Sequence, residues 1–161
     1  MSKTTIEKHV STLRFKRILV PTDFGRGADA ALDTAIELAR EFGATVVLMH
    51  AYGVASYDYL ATAGLATADY VTALEHAARD ALKSAVAARK DADVPIASAL
   101  YCGVPWEQVL VAIEQHGIGL VIMGTHGRRG FARALLGSVA EKVVRFSPVP
   151  VLTLRGLLEP A

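Results

Sequence analysis

The chain has 161 residues, of which 52% are hydrophobic and 20% are charged. These values are typical of one compact globular domain and exclude a disordered chain, because the apolar content is large enough to bury a core. The net charge of +1 gives no general attraction for nucleic acid, so any site for an anion must be local. No apolar run reaches the roughly 18 residues of a membrane span.

The ends of the chain and its single cysteine bear on boundaries and location. The first residues lack the apolar region of a secretory signal. We therefore predict a flexible N-terminal extension over 1–14, a domain over 15–156 and a short tail over 157–161. Cys102 has no second cysteine for an intrachain disulfide, which is typical of a reduced protein, and we expect the chain to be cytoplasmic.

Apolar patterning predicts strands and helices in alternation. The strands are continuous apolar runs, which indicates burial on both faces of a parallel sheet. The helices show apolar residues at helical spacing, with Thr67 and Ser138 as predicted caps, Gly43 after one helix and Pro105 in the first turn of another. In chain order we predict a strand over 17–21, a helix over 28–42, a strand over 45–50, a helix over 68–90, a strand over 95–101, a helix over 105–116, a strand over 120–123, a helix over 138–146 and a strand over 149–154.

Five strands separated by helices predict a single-domain, doubly wound α/β fold. Such connections require parallel pairing, with helices on both faces of the sheet. In open sheets of this kind, ligands bind at the carboxyl ends of the strands, where the strand order reverses.

The clearest functional pattern follows the fourth predicted strand, in the sequence GTHGRRGFARALLGS over 124–138. Glycine leaves no Cβ between the main chain and a ligand, and a helix that begins at Ser138 directs unpaired N–H groups toward the loop. Main-chain donors of this kind hold phosphate. An ordinary strand-to-helix connection, whose glycines only make turns, is the alternative. The cations beside the loop are Arg128, Arg129 and Arg133.

Three segments together resemble the ATP-binding universal stress proteins. Gly124, Gly127 and Gly137-Ser138 reproduce the pattern G-x2-G-x9-G-[S/T] of that family. The Val-Pro-Thr-Asp sequence at 20–23 resembles the end of its first strand, and Val-Leu-Met-His at 47–50 resembles the end of its second. The order and spacing of elements agree from about residue 16 to residue 155, so the chain is identified as a member of this family.

The resemblance implies an adenine nucleotide alpha hydrolase-like sheet with strand order 3-2-1-4-5. It also implies ATP, together with Mg²⁺ or Mn²⁺, in a crevice bordered by the first and fourth strands. Adenine would lie near Pro21 and Ala51, ribose near Asp23 and Gly124, and phosphates along 125–130 and 138–140. The nucleotide-binding residues implied are Pro21, Thr22, Asp23, Ala51, Met123, Gly124, Thr125, His126, Gly127, Arg128, Arg129, Gly130, Gly137, Ser138, Val139 and Ala140.

Some of these residues also have purely structural interpretations. Asp23 suits an Asx turn or a helix cap as well as a ligand contact. His50 ends a strand and is interpreted as structural. Ala140 departs from relatives that carry a hydroxyl there, which removes one possible phosphate contact. The aromatic side chains of Tyr52, Tyr57 and Tyr59 either shield a ligand or pack on the following helix.

The expected function is that of an ATP-binding stress sensor or regulator. No P-loop or dinucleotide motif is present, and no general base adjoins the glycine segment, so fast ATP hydrolysis is not expected. Slow hydrolysis or autophosphorylation in the same pocket remains an alternative. A nucleotide-free dimeric interaction module is another.

The last predicted strand, over 149–154, would be an edge of the sheet. An exposed apolar edge with unpaired backbone groups favours pairing with another chain. As in relatives that dimerise this way, we expect a homodimer through antiparallel pairing of this strand, which would bury Val151 and Leu152. Alternatively, the N-terminal extension covers the edge with Val10 and Leu13 and leaves a monomer.

Overall fold

The structure is a computed structural model that describes residues 15–53, 62, 68–125 and 136–155. Its strands and helices alternate along the chain, as the apolar pattern predicts. The elements are β1 (Arg17–Pro21), α1 (Arg26–Phe42), β2 (Thr45–Gly53), α2 (Ala68–Ala87), β3 (Ile96–Gly103), α3 (Pro105–His116), β4 (Leu120–Gly124), α4 (Ser138–Phe146) and β5 (Val151–Leu154).

The five strands form one parallel sheet in the order β3-β2-β1-β4-β5. This order confirms the predicted doubly wound fold. The central strand β1 pairs with β2 and β4, so that Leu19 lies opposite both Val47 and Val121. The strand order therefore reverses between β1 and β4, where the crevice was expected.

Helices cover both faces of the sheet, and successive residues of β1 point to opposite cores. Ile18 and Val20 lie with α1 and part of α2, whereas Leu19 lies with α3 and α4. All three β1 side chains are fully buried, which explains why the strand is continuously apolar rather than alternating. Within the described residues, no helix is both long and apolar enough to cross a membrane.

Several element boundaries differ from the sequence-based predictions. α1 begins at Arg26, within the predicted turn. Strands β2 and β3 run past their predicted ends, because their pairing continues as far as Gly53 and Gly103. α2 ends at Ala87, three residues early, and the chain then tightens into turns. The predicted cap Thr67 lies outside the described residues.

The start of β5 also differs from the prediction. The strand begins at Val151 rather than at residue 149. The Ser147 hydroxyl donates to the carbonyl of Val149 over 2.7 Å and lies 3.2 Å from its N–H. Val149 is therefore held in a local turn before the strand. Gly43 ends α1 with φ 63°, as predicted for a C-terminal glycine.

Candidate functional site

The N–H groups of Thr22, Phe24 and Gly25, in the loop after β1, donate to β2 or to side chains of the loop itself. The N–H of Thr22 donates to the Met49 carbonyl over 2.8 Å and prolongs the pairing with β2. The N–H of Phe24 donates to the Thr22 hydroxyl, and that of Gly25 donates to the Asp23 carboxylate, both over 2.9 Å. The Asx turn considered for Asp23 is therefore present. It uses one carboxylate oxygen and presents Asp23 at the carboxyl end of the central strand.

Gly124, the last residue of β4, lies against the start of α1. A Cβ at this position would come within 2.9 Å of the Gly27 carbonyl carbon and 3.0 Å of its oxygen. The sequence interpretation, that this glycine leaves room for a ligand, misses this close approach to the backbone. The contact also joins the two loops, because Gly27 follows directly from the β1 loop.

Thr125 marks the point at which the chain leaves the sheet. Its side chain is 8% exposed, its N–H donates to the Leu154 carbonyl over 2.9 Å, and its carbonyl accepts from the N–H of Gly137 over 2.7 Å. Gly137, just before α4, therefore lies beside Thr125, just after β4. Between these ends, the predicted site residues His126, Gly127, Arg128, Arg129 and Gly130 lie outside the described residues, as does Arg133, and the predictions for them stay predictions.

The N-terminus of α4 opens toward this point. Gly137 is the N-cap, with φ −58° and ψ 151°, and Ser138 is the exposed first residue of the helix. The prediction that Ser138 caps the helix is therefore wrong, because the residue lies one position too late to do so. Within the described part of the chain, no side chain caps this helix. Its first N–H groups are donors of the kind that bind anions.

The remaining predicted residues line the carboxyl edge of the sheet. Pro21 lies opposite Met49, Ala51 lies two residues further along β2, and Met123 lies two residues after the partner of Leu19. Pro21 and Ala51 are half-buried, whereas Met123 is only 5% exposed. The fold thus brings these residues to one edge, as expected.

The α4 residues Val139 and Ala140 face the protein interior. Val139 is half-buried, and Ala140 is 2% exposed in the core shared by α3 and α4. The alanine therefore packs as a core residue. Its backbone N–H still belongs to the first turn of the helix.

Two residues that sequence reasoning did not assign to the site lie beside Asp23. The ring Nδ1 of His50 is 2.7 Å from the Thr22 carbonyl, and the ring centroid is 4.5 Å from that of Phe24. Phe24 has a positive φ of 62°. The position of His50 after an apolar run is visible in the sequence, but the backbone conformation of Phe24 is not.

The neighbours of Tyr52 favour the interpretation that this side chain packs on the following helix over the interpretation that it shields a ligand. Burial raises the pKa of Tyr52, and hydrogen-bonded neighbours Glu75, on α2, and Cys102, on β3, raise it further. Glu75 in turn accepts a hydrogen bond from Arg79 over 2.6 Å, which lowers the pKa of the carboxyl. Tyr52 therefore joins the sheet to α2, as the packing interpretation expects; Tyr57 and Tyr59 lie outside the described residues.

The fold and this edge define a class of protein: an open, doubly wound α/β domain whose strand order reverses between β1 and β4, the position at which such sheets bind ligands. The model of the universal stress protein family matches residues 14–155. The chain belongs to the universal stress protein family.

Individual relatives agree with this assignment. Universal stress protein MJ0531 of Methanocaldococcus jannaschii is 32% identical over 145 residues, which are 88% of this chain and 82% of the relative. The solved structure of MJ0577, from the same organism, is 25% identical, covers 92% of this chain and 99% of its own, and has a TM-score of 0.78. A universal stress protein from Archaeoglobus fulgidus, solved in complex with dAMP, shares the fold at 20% identity and a TM-score of 0.63, over 87% of this chain and 98% of its own.

Proposed function

We propose that this chain binds ATP in the crevice between β1 and β4 and acts as a nucleotide-dependent regulator in the stress response. Adenine would contact Pro21 and Ala51, and ribose would contact Asp23 and Gly124. The phosphates would lie along 125–130 and at the start of α4. Cys102, the single cysteine, is exposed and free, which agrees with a cytoplasmic location.

The observation that carries the proposal is the start of α4. The N–H of Gly137 donates to the carbonyl of Thr125, directly after β4, so the first turn of the helix, which no described side chain caps, meets the carboxyl edge of the sheet. A phosphate there would receive main-chain hydrogen bonds and the favourable end of the helix dipole. The structure of the relative in complex with dAMP supports an adenine nucleotide as the ligand.

A divalent metal belongs to the same proposal. Within the described residues, no group of three His, Cys, Asp or Glu side chains is placed to hold a metal ion. The carboxylate of Asp23 is an oxygen donor of the type that Mg²⁺ and Mn²⁺ prefer, and Mg²⁺ is commonly bound by one or two carboxylates together with phosphates. We therefore expect the metal to bind together with the nucleotide.

The test is to identify what the purified protein carries. Mass spectrometry of small molecules released by denaturation should detect an adenine nucleotide. Calorimetric titration should then show tighter binding of ATP than of adenosine, because only ATP carries the phosphates. Equal affinity for both ligands would contradict a phosphate site at α4. ATP turnover well above a protein-free blank, lost in Asp23→Ala, would instead favour the slow enzyme.

We also propose that two copies associate through β5. This strand is an edge of the sheet, and Leu152 is 38% exposed. On the neighbouring helix α4, Val144 and Phe146 are 48% and 53% exposed. Covering these apolar side chains with a second copy would remove them from water.

The geometry of β5 identifies the residues to change. Val121 donates to the Pro150 carbonyl and Thr125 donates to the Leu154 carbonyl, so the backbone N–H groups of Val151 and Thr153 point to the free edge. The Val151 side chain packs in the core of its own subunit, so a charge there would disturb the fold. Leu152 is the better position for a charge.

The resulting prediction is that Leu152→Lys with Thr153→Pro converts a dimer to a monomer. The lysine adds charge to the contact, and the proline removes an edge donor without removing a bond to β4. Light scattering at micromolar concentration measures the mass. Ala97→Lys, on the opposite edge strand β3, is the control and should leave the dimer intact. A monomeric wild-type protein would contradict the proposal.

A further inference from the structure

The turn after β1 contains a bulky residue in a disfavoured backbone conformation. Phe24 has φ 62°, in the left-handed region, where the Cβ of an L-residue approaches the following carbonyl. Such a conformation persists only where the surrounding contacts hold it. Because Phe24 directly follows Asp23, the contacts that hold Phe24 also fix the direction in which the Asp23 carboxylate leaves the chain.

Part of the support comes from the turn itself. The Thr22 hydroxyl accepts from the N–H of Phe24, and the Asp23 carboxylate accepts from the N–H of Gly25. These bonds lie within the turn and can move with it. They fix its internal shape but not its position on the sheet.

His50, on the neighbouring strand β2, supplies contacts on both sides of Asp23. Its Nδ1 is 2.7 Å from the Thr22 carbonyl, before Asp23, and its ring lies 4.5 Å from that of Phe24, after it. The ring of Phe24 also packs against the core under α1. The His50 side chain thus ties the turn to β2 on both sides of Asp23, in addition to the main-chain bond from the Thr22 N–H to the Met49 carbonyl.

The hydrogen bond fixes the protonation of the ring. A carbonyl oxygen only accepts, so Nδ1 must carry the proton and donate. In the neutral ring this leaves Nε2 without a proton. An asparagine at position 50 would offer an amide N–H donor on a shorter side chain, whereas a leucine would fill space without donating.

We propose that His50 is a positioning residue of the nucleotide site, holding the turn at 22–24 so that the Asp23 carboxylate meets the ligand. The inference rests on the proposed function, because the direction of Asp23 matters to a nucleotide only if one binds in the crevice. His50 acts through the turn and does not need to touch the ligand.

The experiment compares His50→Leu, His50→Asn and His116→Leu. His116 is also half-buried, packs beside the ring of Tyr101 and has its Nε2 3.0 Å from the Tyr101 hydroxyl, but it ends α3, where its carbonyl accepts from Arg17 at the start of β1. We expect His50→Leu to weaken ATP binding by about twofold to tenfold, the range for one lost hydrogen bond. His50→Asn should recover most of the affinity, and His116→Leu should leave it unchanged.

A second measurement uses the protein without nucleotide. NMR of the labelled imidazole should show the proton of His50 on Nδ1, and hydrogen exchange at the amides of Phe24 and Gly25 should accelerate in His50→Leu. Asparagine tolerates a positive φ, so in a Phe24→Asn background the effect of His50→Leu on ATP affinity should be smaller.

The outcomes separate the two proposals. Wild-type protein that binds no adenine nucleotide would remove the proposed function, while amide exchange at Phe24 and Gly25 would still decide whether His50 holds the turn. Unchanged exchange, an Nδ1 without its proton, or equal losses in His50→Leu and His50→Asn would overturn the role of His50. The tautomer is measured on the wild-type protein, so the test survives if His50→Leu does not fold.

Discussion

The two loops that flank the crevice are built in opposite ways. In the β1 loop, side chains of the loop itself accept the N–H groups of Phe24 and Gly25. In the β4–α4 connection, the two ends meet through Thr125 and Gly137, and α4 starts without a side-chain cap from the described residues. The first loop satisfies its own donors, whereas the second presents donors to whatever lies in front of the helix.

This difference separates groups that stabilise a turn from groups that are proposed to bind a ligand. In the β1 loop, the Asp23 carboxylate is proposed to contact the ligand, and one of its oxygens supports the turn. At the start of α4, the proposed recognition would depend on main-chain N–H groups, which a side chain at Gly137 would obstruct. Substitutions that remove a turn hydrogen bond of the first loop should therefore change stability and affinity together, whereas those at the start of α4 should change affinity alone.

The largest effect is expected from Gly127→Val with Gly137→Val. Two lost charge-assisted hydrogen bonds, at about 1.5 kcal/mol each, correspond to a loss of roughly 100-fold in ATP affinity. Gly137 has φ −58° and ψ 151°, which valine adopts without strain, so its substitution should not unfold the protein. Calorimetric titration measures the affinity, and circular dichroism checks the fold. A folded variant with wild-type affinity would place the nucleotide elsewhere.

The second-largest effect is an expected loss of stability at Gly124, which belongs to the glycine pattern but lies against Gly27. Gly124→Ala would force its Cβ to within 2.9 Å of the Gly27 carbonyl carbon, so β4 and α1 must separate. Overpacking of this kind costs about 1–3 kcal/mol, and the expected fall in Tm is about 2–10 °C.

The control for this prediction lies at the other end of β4. A Cβ at Gly119 would meet the side chain of Phe15 at 3.3 Å, and a side chain can move more easily than a backbone. Gly119→Ala should therefore lower Tm less than Gly124→Ala in thermal unfolding. An equally stable Gly124→Ala variant would show that the approach to Gly27 does not require a glycine.

The fold was largely predictable because its signals are local. Continuous apolar runs gave the five strands, and helical spacing with Gly43 and Pro105 gave helix ends. The errors occurred where pairing decides the boundary: β2 and β3 continue to Gly53 and Gly103 because each residue finds its partner on the other strand. A single sequence does not show which residues pair across the two strands.

The site was less predictable because a residue type does not reveal its neighbour. The glycine pattern predicts a ligand-binding role for Gly124, and only the structure shows that it lies against Gly27. Ser138 reads as a cap, but Gly137 takes that position. The sequence predicts that His50 ends a strand, and only the structure shows that its ring Nδ1 contacts the Thr22 carbonyl. Of these three predictions only the Ser138 cap is wrong, by one residue; the ligand role of Gly124 stays a prediction, and the contact of His50 agrees with its structural interpretation.

The smallest effect tests the double role of Asp23. Asp23→Asn keeps an oxygen that accepts from the Gly25 N–H but removes the charge, whereas Asp23→Ala removes both. We expect Asp23→Ala to lose about 1 kcal/mol of unfolding free energy and Asp23→Asn to lose little, because one turn hydrogen bond separates them.

Affinity should follow a different order from stability in these two variants. A carboxylate accepts ribose hydroxyls more strongly than an amide does, so both variants should bind ATP more weakly, by roughly threefold to tenfold. Denaturant unfolding gives the stability, and titration with ATP gives the affinity. If both variants bind ATP as the wild type does, Asp23 serves only the turn, and the β1 loop contributes structure without recognition. If Asp23→Asn loses affinity at unchanged stability, the same carboxylate performs both tasks.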